Sequence, residues 1–151
     1  MWTFHCEYMY TGKCGHAYSC TNFMHGCGKC PAVHEYPKSL FFDRTKQMFS
    51  MKRKAMNGLD VEIVTPSEWL AKRVKMSFLQ SVKISIIHNG IDTNIFKEQD
   101  TKSVRNELKI SSENKVVLAV APDIMSESKG GKWVLKLAES MKKKPITFIL
   151  I

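Results

Sequence analysis

KVVLAVAPDIMSESKGGKWVLKLAESMKKKPITFILI, residues 115–151, decides the fold. Residues 116–121 form a near-continuous apolar run, residues 133–141 repeat apolar positions at helical spacing, and residues 146–151 form a second apolar run. Strand, helix and strand within about 35 residues make a βαβ unit, whose strands pair in parallel through a right-handed crossover. A buried parallel strand needs cover on both faces, so a chain ending on 146–151 reads as truncated in mid-sheet.

Upstream, Val82, Ile84 and Ile86 alternate with Lys83 and Ser85, the period of a strand that ends at His88, Asn89 and Gly90. Asn-Gly is in itself a turn former. Residues 61–64 read as a short strand running directly into a helix over 66–78. Thr65 and Glu68 have the spacing of a capping box, and Pro66 takes the first helical position. That helix is expected to bury Trp69, Leu70 and Val74 and to expose Lys72, Arg73 and Lys75. Phe41, Met48, Phe49 and Met56 predict an amphipathic helix over 40–56, with Arg44, Lys46, Lys52, Arg53 and Lys54 on its solvated surface and Asn57 and Gly58 ending it. Val104 and Leu108 mark a further short helix.

The 151 residues carry 23 basic and 14 acidic side chains, a formal charge of +9, and 44% are hydrophobic. This composition excludes a disordered tail, a collagen and a disulfide miniprotein. Residues 1–37 are neutral, residues 38–76 carry +5 and residues 77–151 carry +4. No apolar run approaches the roughly 20 residues of a membrane helix, and the start, MWTFHCEYMY, lacks the pattern of a secretory signal. A cytoplasmic location is expected. All five cysteines and four of the five histidines fall within residues 1–37, a glycine-containing segment without sustained periodicity that reads as loop-dominated.

Cys14, Cys20, Cys27 and Cys30 are spaced with five, six and two residues between neighbours. Four thiolates in such a loop suit a closed, structural zinc site; the alternative is a set of partly buried thiols. His16, His25 and His34 are candidate substitute ligands or ordinary loop histidines. The loop over 121–132 carries Lys129, Gly130 and Gly131 between a strand and a helix, where a phosphate can meet free N–H groups and the positive helix end; a glycine-rich turn with a solvated lysine is the alternative. His5 follows the apolar start and is either structural or a group titrating near neutrality.

Taken in order, WTFH (2–5), TGKCGHAYSC (11–20), GCGKCP (26–31), FDRTK (42–46), IVTPSEWLA (63–71), HNGIDTNIF (88–96) and SKGGKWVLKLAE (128–139) resemble consecutive stretches of glycosyltransferase family 4. The resemblance is to the bacterial branch that builds colanic acid, O-antigen and other surface polysaccharides. It implies an incomplete α/β GT-B enzyme. Residues 1–87, with a Cys-rich loop over 12–31, would end an N-terminal Rossmann-like domain, and residues 88–151 would supply the first βαβ unit of a C-terminal, donor-binding one. Such enzymes transfer a sugar from a nucleotide-sugar donor to a saccharide or lipid-linked acceptor, usually with retention and without a catalytic metal.

On this resemblance His5 is the catalytic histidine, lining the cleft near the transferred sugar and acceptor. Asn89 and Gly90 approach the donor at the crossing into the C-domain, and Lys129 and Gly130 meet the donor phosphates. The branch commonly follows its histidine with aspartate, cysteine and tryptophan, where this chain has Cys6, Glu7 and Tyr8, and Pro122, Asp123 and Ile124 supply no arginine to the phosphate loop. The paired glutamates that hold the donor are absent, so the fragment alone is expected to be inactive. The basic helices fit either a peripheral contact with an anionic membrane surface or a solvated face. The competing reading is a zinc-stabilised basic interaction module, or one binding nucleic acid through Lys52, Arg53 and Lys54, for which the sequence offers no recognised base-contact motif.

Overall fold

The computed structural model describes residues 1–39, 41–126 and 129–151. Leu40, the expected start of the first helix, and Ser128 of the SKGG stretch lie outside the described residues. Helices and strands follow in the order β1 (Trp2–Thr3), α1 (Thr45–Met56), β2 (Glu62–Thr65), α2 (Glu68–Lys75), β3 (Lys83–Ile86), α3 (Lys102–Glu107), β4 (Lys115–Ala119), α4 (Gly131–Ser140) and β5 (Ile146–Leu150). They divide between two compact units, Met1–Ile91 and Asp92–Ile151, whereas the sequence reading divides the chain after residue 87. Both units are α/β with parallel strands, and neither sheet closes into a barrel.

In the first unit the sheet order is β1-β2-β3, with Trp2 opposite Ile63 and Ile63 opposite Ile84. The central strand β2 buries Ile63, Val64 and Thr65, as expected of β-branched residues covered on both sides. The capping box expected at Thr65 does not form. Thr65 is still in the ladder, its carbonyl accepting the Ile87 N–H at 2.9 Å, so α2 is instead capped by Ser67, whose Oγ accepts the Leu70 N–H at 3.3 Å. Helix α2 buries Leu70, Ala71 and Val74, but Trp69 is 54% exposed.

The segment between β1 and α1 has little regular structure, with 3₁₀ turns at Tyr8–Tyr10 and Asn22–Met24, yet it contributes to the core. Phe4, Tyr10 and Phe23 join Phe49, Met56, Ile63, Leu70, Val74 and Leu79 in one cluster. Its main polar anchor is Glu7, which is fully buried. The Glu7 carboxylate accepts from Arg73 Nε at 2.8 Å, Tyr10 Oη at 3.0 Å and the Ala17 N–H at 2.6 Å. Arg73 therefore does not lie on a solvated face; its guanidinium also stands 4.6 Å from the Phe23 ring. Burial, and next the Glu7 charge, push the Tyr10 hydroxyl well above its ordinary pKa.

Two lysines are likewise drawn inward. Lys13 Nζ donates to the carbonyls of Val33, Glu35 and Pro37 at 2.8, 3.0 and 2.8 Å. Lys52 Nζ donates to the carbonyls of Tyr8 and Thr11 at 2.6 and 3.0 Å and lies 3.4 Å from the Tyr8 ring centre, which removes it from the solvated surface expected of α1. That helix starts at Thr45, so the 86% exposed Phe41 precedes it and takes no part in its apolar face. One Asp43 oxygen accepts the Thr45 N–H at 2.9 Å and the Thr45 hydroxyl at 2.6 Å, and the other accepts the Cys30 N–H at 2.7 Å. Asn57 ends α1 as expected, and Gly58 turns the chain at φ +75°.

In the second unit β4 and β5 pair in parallel, Lys115 opposite Ile146 and Leu118 opposite Ile149, which gives the expected βαβ order. Their expected burial is not reached. β5 is half-buried, whereas Leu118 and Val120 are exposed, as are Trp133, Leu135 and Leu137 of α4. Two strands and two short helices do not supply enough surface within this unit to cover both faces of a sheet. Among the described residues no helix is long and apolar enough to cross a membrane.

Arg73→Met leaves the Glu7 carboxylate buried without its cation, and about 3–5 kcal/mol of stability should be lost in denaturant titration. Lys72→Met, which breaks only an exposed i,i+4 pair, should stay within about 0.5 kcal/mol of the parent. The Thr45 hydroxyl, then the Cys30 and Thr45 N–H groups, hold the Asp43 carboxyl below its ordinary value of 3.8. A depressed carboxyl stabilises fully above its unfolded pKa and stops doing so as the pH falls through its folded one. Asp43→Asn, which keeps an acceptor but removes its charge, should therefore cost about 1 kcal/mol or less at neutral pH at this exposed position, with the gap closing in acid unfolding curves.

Candidate functional site

The three strands of the first sheet run the same way, so their carboxyl ends leave on one edge, where open parallel sheets bind their ligands. His5 stands on that edge, exposed, separated from β1 only by the buried Phe4, whose N–H donates to the Val64 carbonyl at 2.8 Å. Pro66 and the capping Ser67 follow β2. His88, Asn89 and Gly90 follow β3, and His88 Nδ1 lies 2.9 Å from the Pro66 carbonyl, tying the exits of β2 and β3 together.

Topology thus brings His5, Asn89 and Gly90, far apart in sequence, to one sheet edge. Asn89 and Gly90 are exposed and irregular, and Gly90 does not occupy the left-handed region that a hairpin-type Asn-Gly turn requires. Among the described residues β3 has no antiparallel strand to return to. The turn comes later, where Asp92 Oδ1 accepts the Asn94 N–H at 2.8 Å and the Asp92 carbonyl accepts the Phe96 N–H at 2.8 Å. Ser67 and His88 are members of this edge that the sequence reading passed over; their positions directly beyond strand ends were the available signal.

Lys129 and Gly130 belong to the second unit, between β4 and α4. Gly130 has φ +72° at the cap of α4, and its carbonyl accepts the Trp133 N–H at 2.9 Å. A Cβ on Gly131 would lie 1.7 Å from the Ile124 carbonyl oxygen, so only glycine lets the loop cross the helix start this closely. Lys129 is exposed beside the amino end of α4, where helix N–H groups and the helix dipole favour an anion.

Cys14, Cys20, Cys27 and Cys30 line one small cavity of about 20 Å³ together with Gly12, Phe23 and Thr45. The Gly12 N–H donates to Cys27 Sγ at 3.1 Å. Burial pushes the Cys14 thiol up to about 11, with Cys30, Cys27 and Cys20 adding to the rise, and burial also raises Cys27. All five cysteines are free thiols. His16, His25 and His34 are exposed and do not line the cavity. As the side chains lie, no set of three or more His, Cys, Asp or Glu among the described residues stands ready to hold a metal ion. A larger hollow of about 440 Å³, lined by Arg53, Asp60, Phe78 and Lys83 among others, contains none of the residues expected to meet donor, acceptor or metal; of the three basic residues of the competing nucleic-acid reading, Arg53 lines it.

Gly131→Ala should distort the β4–α4 loop and cost about 1–3 kcal/mol, read as faster amide exchange over residues 115–140. Lys129→Ala at an exposed position should leave that exchange unchanged.

No family model matches the chain. Over 95 residues it is 33% identical to the protein named "Putative colanic acid biosynthesis glycosyl transferase WcaC" of Escherichia coli (strain K12). The matched stretch covers 61% of this chain and 23% of that protein, so the match spans less than a quarter of the relative's length. Over this stretch the chain is similar to a glycosyltransferase.

Proposed function

We propose that this chain is the central part of a GT-B glycosyltransferase of family 4 that adds sugars to a bacterial surface polysaccharide or its lipid-linked precursor. The observation that carries this reading is the placing of His5, Asn89 and Gly90 at the carboxyl edge of one parallel sheet, in a chain 33% identical over 95 residues to a glycosyltransferase. The donor is a nucleotide sugar and the acceptor a saccharide or lipid-linked saccharide. His5 faces the transferred sugar and acceptor, while Asn89 and Gly90 approach the donor. Lys129, with the Gly130 and Gly131 amides at the start of α4, holds the diphosphate and stabilises the negative charge that grows on it as the sugar leaves.

Transfer proceeds with retention and calls on no catalytic metal. It takes place on the cytoplasmic side, with the basic surface against an anionic membrane that carries the acceptor. Residues 1–87 and 88–151 fall to the N-terminal and C-terminal Rossmann-like domains of the whole enzyme, and the 151 residues alone bind donor without turning it over.

Calorimetric titration with uridine, guanosine and adenosine diphosphate sugars tests the reading. One of them should bind saturably, and Lys129→Ala should weaken it about tenfold or more, the loss expected for a charged hydrogen-bond donor. His5→Ala should leave donor affinity within about twofold, because its role lies on the acceptor side. Absence of saturable binding to every donor, or equal binding by Lys129→Ala, overturns the assignment.

A further inference from the structure

We infer that Cys14, Cys20, Cys27 and Cys30 form a structural site for one thiophilic divalent cation of the zinc class, which pins the loop between β1 and α1 against the first sheet. The inference is independent of the glycosyltransferase reading. Three observations support it. The first is convergence: four sulfur-bearing side chains from one loop line a single cavity of about 20 Å³, a space suited to one small atom. Four cysteines are the donor set of a closed zinc site.

The second is the backbone. Gly28 at φ +142° and Lys29 at φ +47° fold the chain sharply between Cys27 and Cys30. A left-handed lysine is costly and persists where surrounding structure demands it. Across the cavity, a Cβ on Gly12 would come within 2.6 Å of the Thr45 carbonyl and 2.9 Å of Cys27 Cβ, so glycine is required for the approach that lets its N–H reach Cys27 Sγ. The Cys30 N–H is fixed by Asp43. The backbone at Gly12, Gly28 and Lys29 is thus shaped around the cavity that the four cysteines line.

The third is charge. Four thiolates around a divalent cation carry a net charge of −2. The ammonium groups of Lys13, whose residue lines the cavity, and of Lys52, on the carbonyls of Tyr8 and Thr11, supply +2 to this loop, and the Asp43 carboxylate on the Cys30 N–H supplies −1. Both ammonium groups are held by carbonyl oxygens, with no carboxylate at ion-pair distance among the described residues. Burying the Lys13 ammonium and half-burying that of Lys52 is costly unless negative charge gathers nearby, which thiolates on a metal would add to that of Asp43. Cation binding releases the thiol protons to solvent and forms metal–sulfur bonds without oxidation of any sulfur.

The test is elemental analysis of the 151-residue chain purified under reducing conditions, followed by replacement of the metal with cobalt(II). About one equivalent of zinc is expected, and the cobalt form should show thiolate-to-metal charge-transfer absorption with the visible bands of tetrahedral coordination. Chelation should speed proteolysis within loop 12–31 by about tenfold or more. Cys27→Ser/Cys30→Ser should lose the metal and Cys6→Ser should keep it. Should the double variant fail to fold, the cobalt spectrum of the parent decides by itself. Sub-stoichiometric zinc with no cobalt–sulfur absorption, a disulfide between any two of the four, or full metal retention in the double variant overturns the site.

Discussion

The first unit depends on the burial of one carboxylate. Glu7 has no exposed surface, and its two oxygens are divided among a guanidinium, a phenol and a backbone N–H. Arg73 comes from α2, whereas Tyr10 and Ala17 come from the loop that β1 feeds. A single charge therefore fastens a long, irregular segment to the helix that covers the sheet. Apolar packing of Tyr10 and Phe23 would by itself tolerate sliding; the directional bonds to Glu7 set one register between loop and helix. Lys52 repeats the device from α1, with the carbonyls of Tyr8 and Thr11 as its targets. An extended loop is held like part of a core by a few inward-facing charges.

Parallel pairing then does the rest. Because β1, β2 and β3 share one direction, every strand delivers its following residues to the same edge. His5 reaches that edge from the start of the chain, Ser67 from the start of α2 and Asn89 from the end of β3. In the second unit β4 delivers Lys129 and Gly130 to the amino end of α4 by the same rule. Each unit thus presents its chemistry where strands end and helices begin, where unpaired N–H groups are concentrated.

Periodicity made the elements legible, since the alternation at Val82, Ile84 and Ile86 and the apolar runs around β4 and β5 each betray their own local structure. What stayed hidden was set by distant partners. Arg73 and Lys52 fit a solvated helix face in any local pattern, and only the placing of Glu7 and of the Tyr8 and Thr11 carbonyls turns them inward. Thr65 has the spacing of a cap but is claimed by the sheet, through a hydrogen bond from Ile87 that lies beyond the next helix. Phe41 and Trp69 have the right phase for burial, yet Phe41 precedes the first turn of α1 and Trp69 stays half-exposed with the Arg73 guanidinium 5.5 Å from its ring. The convergence of the cysteines could be suspected from the Cys27–Cys30 spacing, whereas the inward turn of Lys13 could not.

The order of strands also bears on how the chain comes to its shape. Strands β2 and β3 are joined by a short crossover, so Ile63 meets Ile84 after closing a modest loop, while Trp2 must find Ile63 across the whole cysteine-bearing segment. Entropy favours the nearer closure. The β2–α2–β3 unit is the natural nucleus, and β1 is the last strand to dock. His5, one residue beyond β1, is therefore set in place only when assembly of the first unit finishes, and local opening of β1 would displace it before any other member of the edge.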